Sequence, residues 1–109
     1  MKKTEIAKKI ERLFKKHTGT ITDTRIYFGG KAWNYDSRGN KTVLKDIKGS
    51  DYTYSNDKTI TCTFEGPVYE EMNYNYSSKL PCALNALFEE YGYYYETGHA
   101  WSFSLYEVA

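Results

Sequence analysis

Aliphatic bulk is scarce in this chain. Leu, Ile, Val and Phe supply twenty of its 109 residues, a level common in disordered sequences when net charge is also high. Net charge here is only +1, so that combination does not arise. Cysteine occurs twice, as Cys62 and Cys82, with no CxxC pair. A disulfide between them would need an oxidising compartment and nothing in the sequence requests one, so they read as free thiols. Proline also occurs twice, at positions 67 and 81. No apolar run approaches the ~18 residues of a membrane-crossing helix, and no N-terminal apolar stretch reads as a signal peptide. The chain therefore reads as cytoplasmic, with no membrane association.

Catalytic and ligand motifs are missing as well. Gly29-Gly30 lacks the spaced glycines and the Lys-Ser/Thr of a phosphate loop. Glu70-Glu71 and Glu89-Glu90 are sequence neighbours, which point about 100° apart on a helix and form no carboxylate dyad. Glu65, at a strand end beside Gly66, is better placed for chemistry but has no identifiable partner. His17, Cys62, Cys82 and His99 match no zinc spacing. Cys62 reads as inert packing on a strand, and Cys82 as a small buried residue in the first turn of a helix. His99 and Trp101 read as an aromatic cluster at a hairpin tip. The expectation is a non-enzyme with no metal and no cofactor.

Two things are abundant. Twelve Tyr and two Trp replace the missing aliphatics. Charge, nearly balanced in total, is split by halves. Residues 1–50 hold thirteen Lys/Arg against five Asp/Glu, a balance of +8; residues 51–109 hold two against nine, a balance of −7. Such asymmetry speaks to partners rather than to chemistry.

The pattern along the chain is α+β. Residues 4–17 read as an amphipathic helix, with Ile6, Ile10, Leu13 and Phe14 on one stripe, Thr4 as N-cap and Gly19 as stop. Strands follow over Arg25–Phe28 and Lys31–Tyr35, hinged on Gly29-Gly30, then over Thr42–Ile47 and Tyr52–Ser55. Thr59–Glu65 alternates Ile60, Cys62 and Phe64 with threonines, which predicts one buried and one wet face. Gly66-Pro67 breaks that strand, and Val68–Ser77 reads either as a helical turn or as a long loop. A second helix over 79–91 carries Leu80, Leu84, Leu87 and Phe88, capped by Ser77 or Ser78 with Pro81 in its first turn. The chain closes with a β-hairpin: Tyr93–Glu96, a turn through Thr97-Gly98-His99, and Ala100–Val108 with Trp101, Phe103 and Leu105 on one face. The whole, 1–109, reads as a single α+β domain: N-terminal amphipathic helix, antiparallel β-meander, second helix and C-terminal β-hairpin, with the helices packed on one sheet face.

The functional expectation is a small protein-binding domain, an inhibitor or accessory protein of a bacterial or phage system. Its contact residues are Tyr69, Glu70, Glu71, Tyr74, Tyr76, Glu89, Glu90, Tyr93, Tyr94, Tyr95 and Glu96. Tyr offers much contact area for little lost side-chain entropy, and the carboxylates suit a basic partner. The alternative is a nucleic-acid-binding accessory protein that uses the basic first helix, through Lys8, Lys9, Arg12, Lys15 and Lys16. Opposite charge at the two ends also allows self-association.

Overall fold

The computed structural model describes residues 2–46, 59–75 and 77–108. Nine elements follow one another: α1 (Lys2–Thr18), β1 (Thr24–Phe28), β2 (Lys31–Tyr35), β3 (Lys41–Lys45), β4 (Ile60–Phe64), α2 (Gly66–Asn73), α3 (Leu80–Glu90), β5 (Tyr93–His99) and β6 (Ser102–Glu107). The strands form one antiparallel sheet in the order β3-β2-β1-β4-β6-β5. The α+β reading holds, with a hairpin meander in β1–β3 and a second hairpin in β5–β6. Strand Tyr52–Ser55, its flanking turns and Tyr76 lie outside the described residues.

The first hairpin follows directly from its two glycines. Gly29 and Gly30 have φ of +57° and +76°, a pair of left-handed conformations whose twist matches the flanking strands. Pairing then runs from Phe28 with Lys31 to Thr24 with Tyr35. On the other side of β1, β4 pairs in register from Thr24 with Phe64 to Phe28 with Ile60.

Alternation aims Ile26, Phe28, Trp33, Tyr35, Ile60, Cys62, Phe64, Phe103 and Leu105 at the helices. There they meet Ile6, Ala7, Ile10 and Phe14 of α1, Val68 of α2, and Leu80, Leu84, Leu87 and Phe88 of α3. The Phe103 ring lies 5.7 Å from that of Phe64 and 6.0 Å from that of Phe88, centroid to centroid. Truncating any one of them to Ala should cost about 3–5 kcal/mol. Four phenylalanines with almost no exposed area do the work that a larger aliphatic set does elsewhere.

α1 is fastened to the sheet by a polar clamp as well as by its apolar stripe. Glu11 Oε2 accepts a hydrogen bond from the Tyr35 hydroxyl and another from Lys41 Nζ at 2.9 Å. The same ammonium lies 3.8 Å from the centre of the Trp33 ring. Burial by itself raises the Glu11 carboxyl. The bonds from Lys41 and Tyr35 outweigh it and hold the group below the usual carboxylate range. Tyr35 moves the opposite way: burial and the hydrogen bond to Glu11 push its hydroxyl far above the ordinary phenol value.

Several local expectations are corrected. α1 begins at Lys2, so Thr4 lies inside the helix and is not its cap. Val68–Ser77 resolves into α2, which starts earlier, at Gly66, with Pro67 in its first turn. β5 runs on through Thr97 and Gly98 to His99, and the turn falls at Ala100-Trp101. The glycine there accompanies a register shift between Thr97 and His99 rather than a reversal. Trp101 therefore stands in the turn, 37% exposed, apart from Phe103 and Leu105. The far face of β4 is not wet: Thr61 is fully buried and shares a 2.8 Å hydrogen bond with the Ser104 hydroxyl. That strand is central, and neighbouring strands crowd Thr61 on both sides, while Thr63 farther along the same face is part-exposed. Cys82 is exposed rather than buried, because the buried stripe of α3 runs along Leu80, Leu84, Leu87 and Phe88.

Three outcomes test this arrangement. Glu11→Gln should cost about 1–3 kcal/mol in urea denaturation, because it leaves Tyr35 and Lys41 without their charged acceptor. A carboxyl depressed by folding contributes stability above its unfolded pKa, about 4.3, and loses it as pH falls through the folded value. The wild-type melting temperature should accordingly drop further on acidification below about pH 4 than that of Glu11→Gln. In a thiol-reagent assay Cys82 should react in the folded protein, while Cys62 should react only on unfolding, since burial pushes its thiol well above the ordinary value.

Candidate functional site

The sheet keeps the two halves of the sequence on two sides. β1, β2 and β3 come from the basic half; β4, β6 and β5 come from the acidic half. α3 packs on β5 and α1 touches β1, but α1 packs chiefly against α3 and α2, so the helices bring the two halves together over the divided sheet. Among the described residues a single ion pair forms, Lys41–Glu11, and both partners belong to the first half. The halves meet electrostatically where α1 and α3 touch. There Tyr91 donates to Glu5 Oε2 at 3.0 Å, and Lys9 Nζ lies 4.9 Å from the Tyr91 ring centre.

Strand alternation divides the expected tyrosine cluster. Tyr93 and Tyr95 pack against the core, with Tyr95 edge-on to Phe88 at 5.8 Å. Tyr94 points to the opposite face, where it is 42% exposed and lies 5.8 Å from the Tyr106 ring. Glu96 shares that face and is exposed. Sequence reasoning passed over Tyr106, whose signal was its alternation against Leu105.

The other expected contact residues form separate groups. Tyr69 packs on the core and touches Tyr74 at 5.5 Å, while Tyr74 is 66% exposed. Glu70 is exposed beside them, and Glu71 is tied to Asn75 at 2.9 Å and Ser78 at 3.0 Å. Ser78 also accepts from the backbone N–H of Leu80 at 3.2 Å, which gives it a role at the start of α3. Glu89 and Glu90 are exposed at the far end of that helix. On α1, Lys8, Arg12, Lys15 and Lys16 are exposed, and Lys9 is half-buried against Tyr91.

A cleft of about 630 Å³ opens on the sheet face away from the helices, at the end of β1, β2 and β4. Arg25, Tyr27, Asn34 and Thr63 form its floor, and Asp23, Asp36, Glu65 and Trp101 stand around it. Its rim is stitched by backbone bonds: Asp23 N–H to the Asp36 carbonyl at 3.2 Å, Glu65 N–H to that of Asp23 at 2.9 Å, and Phe64 N–H to that of Trp101 at 2.8 Å. Next to Glu65, Gly66 takes φ +61°, where a Cβ would approach Thr22 Oγ1 to 3.2 Å, so the chain leaves β4 here through glycine.

The polar groups of the cleft are largely engaged. Arg25 Nε donates to Asn34 Oδ1 at 2.6 Å, and Nη1 reaches the Tyr27 hydroxyl at 3.3 Å. Asp36 Oδ1 accepts from the backbone N–H groups of Arg38 and Asn40 at 2.8 and 2.9 Å. Those two bonds, Asn40's foremost, hold its carboxyl below the ordinary value, as befits a turn residue. Trp101 lies flat against His99, 4.5 Å between ring centres. Among the described residues no three His, Cys, Asp or Glu side chains converge to hold a metal ion. No helix among them is long and apolar enough to cross a membrane. The cleft is open to solvent, with Tyr27 and Trp101 as its aromatic members and both signs of charge around it. Its members are far apart in sequence, so only strand order brings them together.

No protein-family model, no curated protein and no solved structure matches the chain, so its function must be argued from its own residues.

Proposed function

We propose that the chain is a small, non-enzymatic protein-binding domain whose contact surface lies on its acidic half. The observation that carries this reading is the Tyr94–Tyr106 pair. Two phenolic rings stand side by side on the sheet face away from the helices, with Glu96 on the same face. Rings of this kind are characteristic anchors of protein interfaces, because they contribute large area and a hydroxyl while losing few rotamers. Glu70, Glu89, Glu90 and Glu96 are exposed, and no ion pair among the described residues neutralises them. They suit a partner with a basic surface and would speed its approach. An inhibitory or accessory role in a bacterial or phage system belongs to this reading, as does a cytoplasmic setting, in keeping with two free thiols.

The structure-based division of the tyrosines makes the proposal testable. Proteins of the native host are passed over the immobilised chain, and retention of a specific partner is measured. Tyr94→Ala with Tyr106→Ala should reduce that retention by about 30-fold or more, the scale of an interface anchor. Its melting temperature should fall much less than that of Tyr95→Ala, which loses core contacts worth roughly 2 kcal/mol, or about 10 °C. Unchanged retention by the double variant would refute the assignment.

A further inference from the structure

α1 carries a second surface that the partner reading does not use. Its buried stripe, Ile6, Ala7, Ile10 and Phe14, faces the sheet. Lys8, Arg12, Lys15 and Lys16 are all exposed, at i, i+4, i+7 and i+8. That spacing sets them in one row down the solvent side, spanning about 12 Å at 1.5 Å of rise per residue.

Glu11 reaches this row electrostatically at Lys15, without an ion pair. Glu11, on its flank, is held by Lys41 and Tyr35, and Glu5 accepts from Tyr91. Among the described residues, none of the four cations forms an ion pair. Nor, among the described residues, does the row have an open stacking platform beside it. The Trp33 ring is covered by Lys41 and the Tyr91 ring by Lys9. The exposed rings of Tyr74, Tyr94 and Trp101 follow α2, lie in β5 and stand in the β5–β6 turn, all in the acidic half.

We propose that the solvent face of α1 docks on the phosphate backbone of double-stranded DNA. A regular row of cations complements a regular row of phosphates, and binding follows from counterion release without reading sequence. Single strands are bound through aromatic stacking, which this surface lacks. The major groove of B-form DNA admits a helix, whereas the narrow major groove of duplex RNA does not. The acidic strands lie across the β1–β4 seam from β1, and α3 with its exposed Glu89 and Glu90 packs beside α1, so the Lys8–Lys16 row is the face of α1 that meets the polyanion. This inference is independent of the partner reading, because it uses none of the same residues.

The test is fluorescence anisotropy of a mixed-sequence duplex of about 30 base pairs, titrated at several salt concentrations. Four phosphate contacts predict a slope of log K on log salt near −3.6, which is about a 100-fold loss of affinity between 50 and 200 mM. Lys8→Gln/Arg12→Gln/Lys15→Gln should bring that slope to about −1 with an unchanged melting temperature. Arg38→Gln/Lys45→Gln/Lys79→Gln removes the same charge elsewhere and should leave the slope as it was. Absence of binding at low salt would overturn the proposal, as would equal loss in both triple variants. Equal affinity for single-stranded DNA, or tighter retention on phosphatidylserine vesicles than on duplex, would overturn it too.

Discussion

The seam between β1 and β4 is the constraint on which the molecule depends. Five residue pairs, from Thr24 with Phe64 to Phe28 with Ile60, join two halves of one chain edge to edge. Among the described residues, every strand on one side of that seam comes from residues before 46, and every strand on the other from residues after 59. A charge imbalance written along the sequence thus becomes an imbalance across space.

The strands stay divided, while the helices bring the two halves into contact where α1 meets α3. The stripe of α1 is satisfied over β1, and Glu11 fixes it further by taking bonds from Tyr35 and Lys41. The clamp uses one acidic and one basic side chain of the same half, so it spends little of that half's excess positive charge. It also turns the Lys8–Lys16 flank outward. α3, held over β5 by Leu84, Leu87 and Phe88, leaves Glu89 and Glu90 in water. Packing and electrostatics are therefore coupled: the apolar stripes decide which charges face solvent, and the sheet order decides on which side they stand.

Much of this was legible from local pattern. Ile6, Ile10 and Phe14 at helical spacing, Gly29-Gly30 between two apolar runs, and Ile60, Cys62 and Phe64 in alternation each carry a period strong enough to survive folding. α2 was harder to see because Val68 is its only fully buried residue and Glu, Asn and Tyr dominate the rest. Gly98 suggested a turn where the strand instead shifts register, since glycine marks both. The tyrosine run at 93–95 reads as one cluster in sequence, yet a strand sends its neighbours to opposite faces. The cleft could not be read at all: Arg25, Asn34, Glu65 and Trp101 share no motif and meet only through strand order.

The central claim is that the folded molecule has a basic side and an acidic side divided by the β1–β4 seam. Paramagnetic co-solutes of opposite charge, used with amide NMR relaxation, test it residue by residue. An anionic probe should relax the amides of α1 and β3 more than a cationic probe does, and the order should invert for α2 and β5. A ratio that is uniform over the surface would contradict the account.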